Sequence, residues 1–225
     1  MNEKTDPPST VGYYNNNAEQ FFRATLGVDM SPIYGRFLDG LTPDAHILDA
    51  GCGSGRDARA FADRGFTVKA FDASEELARL ASEHCGFTVE VRHFDDVYEI
   101  DQYDAIWCCA SLLHVPRAEM LVVLSKLWRA LKAGGRIYVS FKCGNGERLH
   151  EGRRFTDADE EVVRMWFAEM PELQRIEVWH SQDQRPDRND RWTNALAFRT
   201  PDPKKRLVTG GDDHFLPHLS AEFAQ

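Results

Sequence analysis

Residues 48–57 read LDAGCGSGRD, with glycine at the alternate positions Gly51, Gly53 and Gly55 directly behind a short apolar run. The run HILDA (46–50) is predicted to be a short buried strand, and RDARAFADRG (56–65) a helix stopped by Gly65. The glycines therefore sit where a strand hands over to a helix. Such a junction offers free backbone N–H groups and the positive end of a helix dipole. Glycine also lets a ligand reach the backbone without meeting a Cβ. This one stretch predicts an open α/β sheet with a ligand lying across its C-terminal edge, at the switch point of strand order.

The rest of the chain alternates to match. TVKAFD (67–72) reads as a strand. SEELARLASEHCG (74–86) reads as a helix capped by Ser74 and ended by Gly86. TVEVRHF (88–94) and YDAIWCCA (103–110) read as strands. PRAEMLVVLSKLWRAL (116–131) is an amphipathic helix with proline in its first turn. KAGG (132–135) is a turn and RIYVSFK (136–142) a strand. Strands separated by helices imply right-handed βαβ units with helices on both faces of a parallel sheet. After a helix at 157–169, the strand-like segments 173–182 and 192–200 are too close for a helical crossover, so they are expected to pair antiparallel. Ahead of the alternation, residues 13–40 carry aromatics at near-helical spacing, which predicts one or two helices.

The spacing narrows the ligand. A dinucleotide loop needs GxGxxG, and here Arg56 stands where the third glycine belongs. No GK[ST] follows, so the loop is not a phosphate loop. Asp49, on the strand, would repel a pyrophosphate and suits a ligand with an ammonium group. Asp72 ends the next strand, placed to accept both hydroxyls of a ribose. Asp95, with Asp96 beside it, could meet an adenine edge.

DAGCGSGRD, FDAS, FDD and CASLLHV, in that order, resemble the successive motifs of class I S-adenosylmethionine (SAM)-dependent methyltransferases. Within that family the chain looks most like the small methyltransferases of the tellurite-resistance type, notably in CGSGRD. The resemblance implies a Rossmann-like, mostly parallel seven-stranded sheet with an antiparallel last strand, and an N-terminal helical lid. Along the chain the expected boundaries are a disordered 1–12, a methyltransferase domain over 13–200 with its lid at 13–40, and, at 201–225, either a frayed tail or a linker into the start of a further domain. By the same resemblance Gly51, Gly53 and Gly55 line the cofactor, Asp72 holds the ribose, Asp95 the adenine, and the backbone near Cys109 the amino group. S-adenosylhomocysteine (SAH) would be the product, and no metal is implied.

Several side chains keep two readings. Tyr13 or Tyr14 caps the sulfonium through its ring or packs the lid. Arg56 pairs with the methionine carboxylate or is a solvated first-turn residue. His114 orients or deprotonates an acceptor or is structural. Two loops, 142–155 and 183–191, gather Lys142, Arg148, Arg153, Arg154, Arg185, Arg188 and Arg191 among interspersed acids. Arg153, Arg154, Arg185 and Arg191 are the expected contacts to a small anionic acceptor. The bland alternative is two solvated loops.

Composition enters as an exclusion. A net charge of −9 argues against a broad nucleic-acid-binding face. CASL stands where amino-methylating nucleic-acid enzymes carry an NPPY-like tetrad. An RNA- or DNA-modifying module of a larger protein, or a SAM-binding protein without catalysis, are the alternative readings. The apolar runs are short of a membrane span, and the polar N-terminus predicts a cytoplasmic protein. Five cysteines without a CxxC pair read as reduced thiols.

Overall fold

The computed structural model describes residues 9–185 and 188–203. Its sheet is built from β1 (His46–Ala50), β2 (Thr67–Asp72), β3 (Glu90–Val91), β4 (Tyr103–Cys108), β5 (Leu131–Lys142), β8 (Leu173–Gln182) and β9 (Arg191–Arg199). The strand order is β3-β2-β1-β4-β5-β9-β8. The first five strands are parallel, and β9 runs antiparallel between β5 and β8. The order reverses between β1 and β4, so the loops after these strands splay apart and leave a crevice. β6 (Glu147–His150) and β7 (Arg153–Thr156) form a separate hairpin rising from the end of β5.

Strand alternation divides the core. Leu48, Ile106, Cys108, Val139 and Phe141 face one side, against α6 (Met120–Ala130) and α7 (Glu160–Ala168). Ile47, Ala105, Trp107 and Tyr138 face the other, against α3 (Ser31–Leu38) and Phe61 of α4 (Arg56–Ala62). A sheet buried on both faces accounts for the continuous apolar strands. Cys108 and its neighbour Cys109 go to opposite faces, as a period of two requires. α5 (Glu75–Cys85) is capped by Ser74, whose side chain accepts from Leu77 N–H, and ends at Gly86 in the left-handed region.

Four expectations need correction. The third strand is two residues long, not 88–94, because the chain turns at Phe94–Asp96 into a 3₁₀ helix, where the Asp96 carboxylate accepts from His93 N–H and Asp96 N–H donates to His93 O. KAGG is absorbed into β5 as an irregularity, the register passing from Tyr103↔Leu131 to Ala105↔Arg136. Residues 10–12 are helical: α1 (Thr10–Asn16) is capped by Ser9, and Thr10 Oγ1 accepts from Arg154 N–H across the cleft. The 13–40 segment holds three helices, with α2 (Ala18–Leu26) following α1, and of these α3 is a core element. The rest of the expected disordered start, 1–8, and most of the expected tail, 204–225, lie outside the described residues. No helix among those described is long and apolar enough to cross a membrane.

Candidate active site

A cavity of 890 Å³ opens between the C-terminal edge of the sheet, α1, α2 and the β6–β7 hairpin. The glycine loop forms one wall, and its three glycines do three different things. Gly51 has φ +75°, and a Cβ there would lie 2.6 Å from Ser111 Cβ. Gly53 has φ +57°, and its Cβ would stand 3.1 Å from the ring of Phe21 on α2. Both line the cavity. Gly55 does not: it is the close-approach point of α4 and α5, where a Cβ would meet Cys85 Sγ at 2.8 Å and Ala81 Cβ at 3.0 Å. Its expected role on the cofactor is therefore replaced by packing.

The loop also differs from expectation in what it offers. Gly51 and Cys52 N–H both donate to Phe71 O, Gly53 N–H donates to Asp72 at 2.8 Å, and Gly55 N–H to Cys52 O. These amides are spent within the protein. The stretch supplies clearance, not a nest of free donors, which fits a ligand without phosphates at that point.

Three carboxylates stand behind the loop. Asp72 accepts from Gly53 and Ser74 N–H and faces the cavity, and burial pushes its pKa up. Asp49 is 2% exposed, lines the cavity, and its Oδ2 has no hydrogen-bond partner. Burial, then the neighbouring Asp57 charge, push its pKa well above the usual carboxylate range. Asp57 is the opposite case. It takes bonds from Arg56 Nε (2.7 Å) and Nη2 (2.8 Å), from Tyr34 Oη (2.5 Å) and from Trp107 Nε1 (2.8 Å). Although burial opposes it, the Arg56 guanidinium and these bonds hold its pKa down. Arg56 is thus neither solvated nor free: it is clamped to Asp57, gives a further bond to Thr25 O, and still presents a face to the cavity. Nothing in the sequence marked Asp57 as a hub, because its donors come from α3, α4 and β4.

Phe94, on the 3₁₀ turn, lines the cavity and packs edge-on against Phe71. Asp95 reaches the cavity rim with its side chain 70% exposed and paired to Lys126 at 3.0 Å. Cys109 lines the opposite wall, and the next residue, Ala110, takes φ +52° with its N–H bonded to Ser140 Oγ.

The lid brings Tyr13 and Tyr14 over the far half of the cavity. His114 Nδ1 lies 2.6 Å from Arg154 O, and because a carbonyl only accepts, Nδ1 carries the proton. His114 Nε2 is 2.8 Å from Tyr14 Oη and accepts from it. Burial, with Arg153 and Lys142 nearby, lowers the His114 pKa to about 4, so the ring is neutral. Burial raises the Tyr14 pKa to about 12. The sequence named both residues; their pairing, a hundred positions apart, required the fold.

Of the seven loop cations, Lys142, Arg148, Arg153, Arg185 and Arg188 line the cavity. Arg154 and Arg191 do not, which corrects two expected acceptor contacts. Arg154 alternates to the outer face of β7, pairs with Glu147, and serves the site only through its carbonyl. Arg191 is an exposed residue at the start of β9. Most cations inside are paired: Lys142 with Asp190, Arg148 with Asp157, Arg153 with Glu151 and Arg185 with Asp183. Among the described residues no cluster of His, Cys, Asp and Glu could hold a metal.

Residues 47–135 match the family model described as "Methyltransferase domain". A Bacillus subtilis protein bearing a methyltransferase name, YqeM, is 27% identical over 201 residues, covering 81% of this chain and 78% of that one. The ubiquinone biosynthesis O-methyltransferase of Xylella fastidiosa is 35% identical over 103 residues, which are 43% of this chain and only 41% of the relative's length. Among solved structures, the magnesium protoporphyrin IX methyltransferase of Synechocystis with bound SAM superposes with TM-score 0.67 at 18% identity, covering 89% of this chain and all of that one. The 1,6-didemethyltoxoflavin N1-methyltransferase of Burkholderia thailandensis gives TM-score 0.67 at 20% identity, covering 84% of each chain. The domain match falls on the glycine loop and the strands around it, so residues 47–135 are similar to a methyltransferase domain, set in the Rossmann-like sheet shared with these solved methyltransferases.

Proposed function

We propose that the protein transfers a methyl group from SAM to a small, anionic acceptor by in-line displacement, and that it is of the tellurite-resistance-like kind. The observation that carries the reading is Asp49 Oδ2, buried and unpartnered in the cavity that Gly51, Gly53 and Asp72 also line. A buried carboxylate oxygen left without a donor is costly. An ammonium group arriving there would remove that cost and draw Asp49 back to its ionised form. Gly51 and Gly53 would leave room for its aliphatic chain, Asp72 would accept from its ribose, and Phe94 with Asp95 would border its adenine. Arg56 and the backbone at Cys109 would hold the amino-acid end. Bound SAM supplies an electrophilic methyl on a sulfonium, so the protein's task is alignment.

Tyr14 and His114 provide the proton path. As the acceptor's hydroxyl or amine attacks, its proton passes to Tyr14 Oη, and the Tyr14 proton passes to His114 Nε2. The imidazolium so formed keeps its Nδ1–H on Arg154 O. Arg153 and Lys142 oppose that charge, and an anionic acceptor would offset them. The pairing of most cavity cations with acids weighs against an extended polyanion such as RNA as the substrate.

Thermal unfolding with and without SAM and SAH tests the cofactor, and methyl release against a panel of small carboxylates, phosphates and thiols tests the activity. Stabilisation by both, with turnover of an acidic acceptor, is the expected result. No stabilisation by either ends the proposal. Stabilisation without turnover of any acceptor would move the reading to a SAM-binding protein.

A further inference from the structure

Resting on the methyl-transfer reading, the geometry points to one specific anchor for the acceptor: a carboxylate or phosphate group seated on Arg153 and Lys142 at the Phe155 ring, beside Tyr14 and His114. Phe155 is buried and stands at the centre of this region. Arg148 lies 4.5 Å from its ring centroid, Arg153 5.3 Å and Lys142 5.4 Å, and the His114 ring packs edge-on at 5.1 Å.

The three cations are not equivalent. Arg148 grips both oxygens of Asp157, at 3.0 and 3.2 Å, so its fork is spent. Arg153 is 16% exposed and stacks at 3.9 Å over the Tyr13 ring, which fixes its plane between Tyr13 and Phe155. One of its terminal nitrogens bonds to Glu151, while its Nε is buried with no partner. A guanidinium held in one plane with an unsatisfied N–H is suited to a two-oxygen anion. Its present partner sits on the hairpin turn and is 56% exposed, so an incoming anion can take its place at little cost. Lys142 is 19% exposed, flanked by Phe155 and Trp192, and bonds Asp190 through one of the three N–H donors of its ammonium group, so it can add a second contact to the anion.

The same arrangement makes the anion part of the chemistry. Arg153 and Lys142 both disfavour a charged His114. An acceptor whose oxyanion lies on them lowers that opposition where the proton must arrive. Neutral analogues would then lose turnover as well as binding.

The probes are benzoate, benzamide and inorganic phosphate, titrated calorimetrically into the full chain, with saturating SAH and again without it. Benzoate is expected to bind about tenfold more tightly than benzamide, and Arg153→Met to abolish that preference. Arg153→Lys and Lys142→Met should each keep part of it. Arg36→Met, whose cation lies over Trp179 on the α3 side, should change nothing. Phosphate binding without benzoate binding assigns the anchor to a phosphate, and the converse to a carboxylate. Equal uptake of benzoate and benzamide with no uptake of phosphate, or an unchanged benzoate preference in both Arg153→Met and Lys142→Met, overturns the anchor. If the wild-type protein takes up no SAH, the methyl-transfer reading fails separately, and the titration without SAH still decides whether the anchor exists.

Discussion

The two halves of the cavity are built on different principles. The half proposed to take the cofactor is made of backbone: glycines forced into left-handed conformations, amides tied to Phe71 and Asp72, and one acid left without a partner. The half proposed to take the acceptor is made of long side chains stacked on aromatic rings, most of them matched to a nearby acid. Backbone geometry is inherited with the strand–turn–helix junction and tolerates little change. Arginines on a hairpin, and a lysine at the very end of β5, can be re-paired without disturbing the sheet. The first half thus suits a ligand held by shape, and the second a ligand recognised by charge.

The sharpest way to break this contrast is Asp57→Ala. It strands the Arg56 guanidinium, Tyr34 Oη and Trp107 Nε1 in a buried site, and unfolding in urea should show a loss of about 3–5 kcal/mol. Next is Asp72→Ala, which removes the partner of Gly53 and Ser74 N–H as well as the proposed ribose contact. Calorimetry should show SAH binding weakened by about 1.5–3 kcal/mol. Gly55→Ala should cost about 1–3 kcal/mol of stability by pushing against Cys85 and Ala81, with SAH affinity unchanged per folded molecule. Gly53→Ala, at φ +57° and opposite Phe21 of the lid, should cost stability as well and, unlike Gly55→Ala, should also weaken SAH binding per folded molecule; an unchanged SAH affinity in both would erase the distinction between a packing glycine and a lining one.

The smallest expected effect concerns the acceptor half. Tyr14→Phe should cost about 0.5–1.5 kcal/mol for its bond to His114. His114 has its pKa lowered from 6.5 to about 4, so the unfolded chain binds its proton more readily than the folded one. Its contribution to stability is full above about pH 6.5 and is lost as pH falls toward 4. Urea unfolding at pH 7, 5.5 and 4 should therefore show a slope that His114→Asn reduces. An unchanged slope would mean that the ring is not held neutral.

Much of the cofactor half was legible because its determinants are local. Gly51, Gly53 and Asp72 act through positions close along the chain or at the ends of adjacent strands. Gly55 was misread because a lining glycine and a packing glycine look alike until α5 is laid against α4. Arg154 and Arg191 were misread because alternation along a hairpin strand and at a strand end decides which cations turn inward. Asp57 and Phe155 were missed because their importance lies wholly in what other elements bring to them.

By itself the sequence determined the sheet, its antiparallel β9 and the edge at which a ligand would lie, since periodicity and glycine spacing are short-range properties of a chain. Tertiary structure alone decided that Tyr14 meets His114, that Arg56 is bound to Asp57, and which loop cations surround Phe155. Those contacts join residues far apart in sequence, and their free energies depend on burial and direction, which no spacing along the chain encodes.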